Sequence, residues 1–169
     1  ILDLDFKIFQ TNKPWTLLAN LPYVITFPIL RLLQKNMDTL KEGVIMVQEE
    51  VAQKILKSSG KDYGYISLFF QYYFEWKKLS KISPAAFKPP PKVFSRLLYL
   101  KPRFDRVEIP NEENFWKFIK QCFKQPRRTL RNNLAQTDFD KSLFPEEILK
   151  LRAQQMNFEQ LLDVWKSLQ

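Results

Sequence analysis

The chain has 169 residues, 45% hydrophobic and 27% charged, which fits one globular domain or one domain with a small appendage. It contains no His, which excludes Ser-His-Asp and Cys-His catalysis and nearly every catalytic zinc site. Its single Cys excludes an internal disulfide. Its three Gly, at positions 43, 60 and 64, cannot form a G-x-G-x-x-G turn or a Walker loop.

The net charge of +9 is concentrated in two stretches. Eight basic and no acidic residues lie from Lys77 to Arg103, and six basic and no acidic residues lie from Lys117 to Arg131. Such stripes favour a surface that binds nucleic acid over a merely solvated surface or one that binds an acidic membrane. No segment is apolar enough to span a bilayer and no signal peptide opens the chain, so we expect a cytoplasmic protein without membrane partners.

The first part of the chain alternates short apolar runs with helical patterns. The runs at 15–19 and 43–47 predict two buried strands. Between them Thr26 is expected to cap a helix, and residues 49–57 predict a second helix. The first helix is expected to bury Ile29, Leu30, Leu33 and Met37.

Two further ordered segments, 67–76 and 93–100, are joined by a stiff proline-rich loop at 84–91. Strands that are apolar throughout and alternate with helices are typical of a parallel sheet covered on both faces. The sequence therefore predicts an α/β fold with a parallel sheet.

The second part of the chain predicts a small all-helical module. Asn111 is expected to cap its first helix, Pro145 opens another, and Asn157 caps the last. We therefore predict two domains, 1–103 and 104–169. The apolar face of the first helix consists of Phe115, Phe118, Ile119, Cys122 and Phe123.

The tetrapeptide Asn20-Leu21-Pro22-Tyr23 directly follows the first strand, and its residues could take part in a reaction. In open α/β sheets, ligands bind outside the carboxyl ends of the strands. The Asn20 side-chain oxygen and the Leu21 carbonyl, its direction restricted by Pro22, could accept both hydrogens of an exocyclic base amine. Tyr23 could stack on the base. The alternative is an ordinary turn after a strand, for which Asn and Pro are also typical.

Three other features carry weaker hypotheses. Phe87, in the basic proline-stiffened loop, could stack on a ligand or simply pack against the sheet. Cys122 is expected in the core of its helix. Asp3 and Asp5 could be paired carboxylates, although solvated acids are the commoner case at the start of a chain.

A basic segment, 124–134, contains three Arg within five residues. Arg side chains match the geometry of phosphate, and the Gln and Asn residues here can add neutral hydrogen bonds. The alternative is a solvated turn between helices. The basic residues of the segment are Lys124, Arg127, Arg128 and Arg131.

Together these segments resemble the small-subunit ribosomal RNA adenine N6-dimethyltransferases of the KsgA type. The resemblance covers nearly the whole chain, in order. The matching residues are Asn20-Leu21-Pro22-Tyr23, Gln48-Glu49-Glu50-Val51-Ala52, Asp62-Tyr63-Gly64, Ser67, Gln71-Tyr72-Tyr73, Pro84, Phe87-Lys88-Pro89-Pro90-Pro91-Lys92-Val93, Ser95, Phe123, Gln125 and Arg127-Arg128-Thr129-Leu130-Arg131-Asn132.

The resemblance implies a Rossmann-like methyltransferase domain followed by a helical RNA-binding domain. It implies transfer of methyl groups from S-adenosylmethionine to two adjacent adenines in the 3′-terminal hairpin of small-subunit rRNA. Asn20 and Leu21 would contact the cofactor, and Tyr23 and Phe87 would sandwich the flipped adenine, with Pro22 completing the catalytic group. No metal is implied. The residues expected to bind RNA are Lys88, Lys92, Lys124, Arg127, Arg128 and Arg131.

The chain departs from the family pattern at several positions. Phe94 and Arg96 replace the usual Asp and small residue around Ser95, which could alter RNA contacts. Val24 and Pro126 also differ from common family residues. The family's glycine-rich cofactor loop and acidic ribose-binding residue would precede this chain, so we expect an N-terminal half-domain to be missing and the chain alone to be inactive.

Two other classes of function remain open. One is a non-catalytic RNA-binding or ribosome-assembly factor on the same fold. The other is an amino-methyltransferase acting on large-subunit rRNA or DNA. We expect a monomer that works on immature small ribosomal subunits.

Overall fold

A computed structural model describes residues 10–168 of the chain. It divides into two compact units. The first consists of the described residues up to Leu56 together with Phe70–Arg106, and the second of Lys57–Phe69 together with the described residues from Val107 onwards. Asp3 and Asp5 lie outside the described residues, and the functional division at residue 103 stays a prediction.

A four-stranded sheet forms the centre of the first unit. Its strands are β1 (Trp15–Asn20), β2 (Leu40–Gln48), β3 (Phe74–Ile82) and β4 (Ser95–Pro102), in the spatial order β1-β2-β4-β3. β1 and β2 are parallel, whereas β4 is antiparallel to both β2 and β3. The prediction of a parallel sheet is therefore wrong for β4. A parallel neighbour requires a crossover, and the segment between β3 and β4 contains only a 3₁₀ turn, at Pro84–Ala86.

Helices connect the strands of this unit. They are α1 (Thr26–Lys35), α2 (Glu49–Leu56) and α3 (Tyr65–Tyr73), although residues 65–69 of α3 belong to the second unit. α1 buries Ile29, Leu30 and Leu33 as predicted. Thr26 is not its cap, because Ile25 occupies that position and the Thr26 hydroxyl donates a hydrogen bond to the Pro22 carbonyl.

Burial differs between the two strands that were predicted to be buried. Ile45 and Val47 in β2 are fully buried, as predicted, but Leu18 in β1 is 84% exposed and Trp15 is 41% exposed. β1 pairs with one described neighbour, β2, so burial of its residues was wrongly predicted from apolarity alone. Gly43 lets these strands approach closely, since a Cβ there would lie 3.0 Å from the Leu17 Cβ.

The second unit is helical, as predicted. Its later helices are α4 (Glu112–Cys122), α5 (Leu130–Asn133), α6 (Glu146–Lys150) and α7 (Phe158–Lys166). α4 buries the predicted apolar face. The centroid of the Phe118 ring lies 5.6 Å from that of the Trp165 ring in α7. Asn111 occupies the cap position of α4, but with φ of 49° its side chain makes no capping hydrogen bond.

α7 begins with the predicted cap. The Asn157 side-chain oxygen accepts a hydrogen bond of 2.8 Å from the Gln160 backbone N–H. The Gln160 side-chain oxygen accepts one of 2.9 Å from the Asn157 N–H. This reciprocal pair satisfies two backbone donors that the first turn of a helix leaves open.

Candidate functional site

The residues that the sequence predicts to act in the reaction lie at one edge of the sheet, where the strands begin or end. β1 ends at Asn20, β2 at Gln48 and β3 at Ile82, while the antiparallel β4 begins at Ser95. These four strand ends lie along the same edge because β1, β2 and β3 run in one direction and β4 in the other. The proline-rich loop between β3 and β4 leaves and returns at this edge.

The backbone of the tetrapeptide is held in place by three hydrogen bonds. The Leu21 N–H donates to the Met46 carbonyl at 3.1 Å, which ties the turn to β2. The Pro22 carbonyl accepts from the Ile25 N–H at 3.1 Å and from the Thr26 hydroxyl at 3.2 Å. Because Pro22 also restricts its own φ, near −59°, the direction of the preceding carbonyl is set before any ligand arrives.

A cavity of about 310 Å³ opens at this turn. It is lined by residues 20–23 together with Phe87, Pro89 and Pro91. The structure thus brings Phe87 to the tetrapeptide across more than 60 positions of sequence. The volume is at the lower end of the range of about 300–1,000 Å³ for ligand sites, which suits one planar base.

Two possible acceptors belong to residues that line the cavity, the Asn20 side-chain oxygen and the Leu21 carbonyl. Within residues 10–168, neither the Asn20 side-chain amide nor the Leu21 carbonyl takes part in a hydrogen bond. Asn20 is exposed, whereas Leu21 is buried, with 3% of the whole residue exposed. Both residues line the cavity, so their oxygens are the candidates to accept hydrogen bonds from an amine that enters it.

Tyr23 is fixed by a residue to which the sequence assigned no role. Its hydroxyl lies 2.6 Å from the Ser95 hydroxyl, and the Ser95 side chain is fully buried at the start of β4. This contact restricts the Tyr23 ring, which is half-buried at the cavity. Ser95 stood among the residues that match the family, which was the only sequence signal for it.

Phe87 follows an ordered turn. The Ser83 hydroxyl accepts from the Ala85 N–H at 3.3 Å, and the Phe87 N–H donates to the Pro84 carbonyl at 3.1 Å. The Phe87 side chain is half-buried, so it lines the cavity without being fully enclosed by protein. Its surroundings fit a stacking residue, although its role in the reaction stays a prediction.

An ion pair missed by the sequence analysis lies beside Ser95. Arg96 Nε and Nη2 donate to the two carboxylate oxygens of Glu49 at 2.8 and 2.9 Å. Arg96 Nη1 donates to the Leu79 carbonyl at 2.9 Å, where the pairing of β3 with β4 is irregular. The hydrogen bonds from Arg96 lower the pKa of the Glu49 carboxyl below its ordinary value. Arg96 therefore has a structural role in joining α2, β3 and β4.

The predicted RNA-binding residues lie in two loops, except for Arg131, which lies in α5. Lys88 and Lys92 are exposed in the loop that carries Phe87. In the helical unit, Lys124, Arg127 and Arg128 are exposed in the loop between α4 and α5, and no ion pair engages them within the described residues. Arg131 differs from these, since its guanidinium pairs with Glu146.

Asn133 organises the loop of the helical unit, although the sequence analysis expected the Asn residues of segment 124–134 to offer hydrogen bonds to RNA. Its side-chain amide donates to the carbonyls of Cys122 at 2.8 Å and Gln125 at 3.1 Å, and its oxygen accepts from the Gln125 N–H at 3.1 Å. Asn133 is 7% exposed. The exposed arginines thus project from a loop whose backbone is held by hydrogen bonds to the buried Asn133 side chain.

Three further observations concern the cysteine, possible metal ligands and membrane-spanning helices in the described part of the chain. Cys122 is fully buried, and burial raises the pKa of its thiol, so the prediction of a core cysteine is confirmed. No group of three or more potential metal ligands occurs among residues 10–168. None of the described helices is both long enough and apolar enough to cross a membrane.

Two solved structures are similar to this one. A dimethyladenosine transferase from Plasmodium falciparum gives a TM-score of 0.73 at 20% identity, covering 88% of this chain and 64% of that chain. The 23S rRNA methyltransferase ErmE gives a TM-score of 0.67 at 21% identity, covering 93% of this chain and 66% of that chain. These similarities confirm the predicted Rossmann-like methyltransferase fold.

Curated protein sequences are similar to this chain at higher identity than the two solved structures. A protein from Halothermothrix orenii named ribosomal RNA small subunit methyltransferase A is 36% identical over 161 residues, covering 89% of this chain and 54% of the relative. A protein of the same name from Chlorobaculum parvum is 38% identical over 152 residues, covering 89% of this chain and 55% of the relative. The chain thus spans about half the length of the curated relatives it matches.

The family model described as ribosomal RNA adenine dimethylase matches residues 1–169. This match extends over both compact units and includes the tetrapeptide, Phe87 and the basic loop of the helical unit. The chain therefore belongs to the ribosomal RNA adenine dimethylase family.

Proposed function

We propose that this protein transfers methyl groups to the N6 atoms of two adjacent adenosines in the 3′-terminal hairpin of small-subunit rRNA. The observation that carries the proposal is the cavity in which the tetrapeptide 20–23 meets Phe87. Membership of the family and the printed names of its relatives support rRNA as the substrate class.

The two free acceptors account for activation of the amine. An adenine N6 is a poor nucleophile because its lone pair is delocalised into the ring. Hydrogen bonds from its two hydrogens to Asn20 Oδ1 and the Leu21 carbonyl draw the nitrogen toward tetrahedral geometry and localise that lone pair. A strong base is unnecessary, since the proton becomes acidic once the nitrogen is alkylated. The mechanism is therefore compatible with a chain that has no His.

The aromatic side chains hold the base. Tyr23 and Phe87 both line the cavity, and stacking on an aromatic ring contributes about 1–3 kcal/mol per base. The hydrogen bond to Ser95 fixes the Tyr23 ring before the base arrives. A flipped base thus meets a prepared surface, which reduces the entropy lost on binding.

S-adenosylmethionine, when bound, supplies the methyl group as an electrophile. The described residues fit its methyl-bearing end, because Asn20 and Leu21 offer neutral acceptors at the end of β1. Gly43 lies within β2 and Gly60 has φ of 75° in a turn, and no glycine lines the cavity. We therefore assign only Asn20 and Leu21 to the cofactor.

The basic loops provide contacts to rRNA. Lys88 and Lys92 lie in the loop that carries Phe87, and Lys124, Arg127 and Arg128 have no acidic partner within the described residues. Phosphate contacts dominate the affinity for nucleic acid and orient it without reading sequence. We assign Arg131 a smaller share, because Glu146 already neutralises it.

A non-catalytic assembly factor is the main alternative, and methylation of large-subunit rRNA or DNA is the second. The unengaged acceptors of Asn20 and Leu21 favour an enzyme, because binding RNA alone does not require them. A methylation assay with labelled S-adenosylmethionine separates the three. Immature small subunits, large subunits and DNA serve as substrates, and label in small subunits alone supports the proposal.

The assay uses the chain itself and a hybrid in which it replaces the matching part of the Halothermothrix orenii relative, since the chain spans 54% of that protein. In the hybrid, Asn20→Ala should lower kcat by about 100- to 1,000-fold, as for the loss of one preorganised hydrogen-bond partner. Thr16→Ala, at an exposed position of the same strand, is the matched control. A kcat for Asn20→Ala within a few-fold of the parent would contradict the role of Asn20.

The stacking residues are tested in the same hybrid. Phe87→Ala and Tyr23→Ala should each reduce methylation, whereas Phe87→Tyr should keep much of the activity because it retains an aromatic face. If Phe87→Leu were as active as the parent, Phe87 would be a packing residue.

For the basic loop, joint replacement of Arg127 and Arg128 by Gln should reduce the salt dependence of RNA binding by about two phosphate contacts.

A further inference from the structure

An exposed aromatic side chain lies near the cavity but does not line it. Phe94 is 45% exposed, and the Lys81 ammonium lies 4.2 Å from the centre of its ring. We refer to these two residues as the Phe94–Lys81 site. An exposed Phe covered on one face by a cation presents a flat apolar surface and a positive charge together.

The backbone of this site is rigidly supported. The Phe94 carbonyl accepts from the Glu49 N–H at 2.9 Å, and Lys81 pairs across the strands with Arg96. Arg96 in turn holds the Glu49 carboxylate and the Leu79 carbonyl. The exposed position of Phe94 is therefore set by strand pairing and an ion pair rather than by a loose loop.

The Phe94–Lys81 site lies at the same edge of the sheet as the cavity. Phe94 is the residue next to Ser95, whose hydroxyl lies 2.6 Å from that of Tyr23. The Tyr23 ring lines the cavity and Phe94 directly precedes β4, so both residues lie at the same edge of the sheet.

The positive charge around the Phe94–Lys81 site indicates which kind of molecule would bind there. From Lys77 to Arg103 the chain has eight basic and no acidic residues, and Lys77, Lys78 and Lys92 are exposed. A polyanion that also carries flat aromatic groups matches this surface. Single-stranded nucleic acid has both features, because every base has a face that stacks and every nucleotide a phosphate.

We propose that the Phe94–Lys81 site holds a second, unpaired nucleotide of the substrate RNA, next to the one whose base enters the cavity. Its base stacks on the open face of Phe94, and its phosphate pairs with Lys81. The inference rests on the proposed function and adds a subsite to it.

Binding of two RNAs to the chain tests the proposal without any cofactor. The probes are a fluorescent stem-loop with an unpaired adenine-rich loop and a fully paired duplex of the same length, measured by anisotropy. Phe94→Ala and Phe94→Leu should each weaken binding of the stem-loop by about fivefold or more and leave duplex binding within twofold. Phe94→Trp should bind as tightly as the parent.

Two further variants sharpen the result. Phe104→Ala removes a 71% exposed Phe beyond the opposite end of β4 and should change neither affinity. Lys81→Gln should reduce the slope of log affinity against log salt by about 0.7, the value for one phosphate of a single strand. Circular dichroism of each variant verifies that it is folded, and Phe94→Leu keeps an apolar side chain should the alanine variant unfold.

The outcomes separate the two proposals. Unchanged stem-loop binding by folded Phe94→Leu, or equal losses for stem-loop and duplex, overturns the Phe94–Lys81 site. If methylation by the hybrid still depends on Asn20 in that case, the proposed function stands. If the parent chain binds neither RNA and the parent hybrid methylates no small subunit, both proposals fall.

Discussion

Replacement of Arg96 by Ala tests how the edge of the sheet is held together. The substitution removes two hydrogen bonds to the Glu49 carboxylate and one to the Leu79 carbonyl. The carboxylate keeps only the hydrogen bond from Gln53, of 3.1 Å, among the side-chain contacts described for it. Arg96→Ala therefore leaves a largely buried charge and an unpaired carbonyl where β3 and β4 lose their regular pairing.

The expected loss lies between two limits. An exposed ion pair contributes about 0–1 kcal/mol, and removal of one partner of a fully buried pair costs about 3–5 kcal/mol. The Arg96 and Glu49 side chains are 11% and 14% exposed, and both carboxylate oxygens are bound by the guanidinium. We expect a loss of about 2–3 kcal/mol, which for a chain of this size corresponds to about 4–12 °C in Tm.

Urea unfolding of Arg96→Ala, Glu49→Gln and the double variant measures this loss and the coupling of the two residues. Arg96→Lys should recover only part of the stability, because Lys keeps the charge but not the planar fork. Glu50→Gln is the matched control, since the neighbouring Glu50 forms an exposed pair with Lys54 and should change stability by less than about 0.5 kcal/mol.

The result that would refute this reasoning is a coupling energy below about 0.5 kcal/mol between Arg96 and Glu49. Arg96 would then be one more solvated cation of the basic stretch. Its replacement would be expected to alter RNA binding rather than folding, as the sequence alone suggested.

Three other predictions follow from buried or paired groups. Asn133→Ala should lower the free energy of unfolding by about 2–4 kcal/mol, because it leaves buried backbone groups unpaired, whereas exposed Asn132→Ala should change it little in the same urea titration. The stabilising contribution of Glu49, whose pKa in the folded chain is lowered chiefly by Arg96, should be complete above the ordinary value of 4.5. It should be lost as the pH falls through the lower folded value, and Glu49→Gln should show less acid destabilisation between pH 6 and pH 2 than the parent. The Cys122 thiol, buried and with a raised pKa, should react with a thiol reagent at pH 8 only after denaturant is added, and rapid reaction of the native chain would show that it is accessible.

The sequence by itself determined the features that depend on short-range rules. The apolar face of α4 follows from spacing along one helix, and the cap of α7 follows from Asn157 and a Gln three residues later. The tetrapeptide was recognised because the chemistry of an amine acceptor depends on four consecutive residues. The fold class followed from the order of strands and helices together with the resemblance to the family.

Features that depend on the spatial pairing of distant residues were decided only by the tertiary structure. Apolarity does not say how many neighbours a strand has, so the exposure of Leu18 in β1 and the antiparallel direction of β4 could not be inferred from the runs themselves. The contact of Tyr23 with Ser95 spans 72 positions, and that of Arg96 with Glu49 spans 47. Each partner alone is an ordinary polar residue, and it acquires its role only because strand pairing brings both to one edge of the sheet.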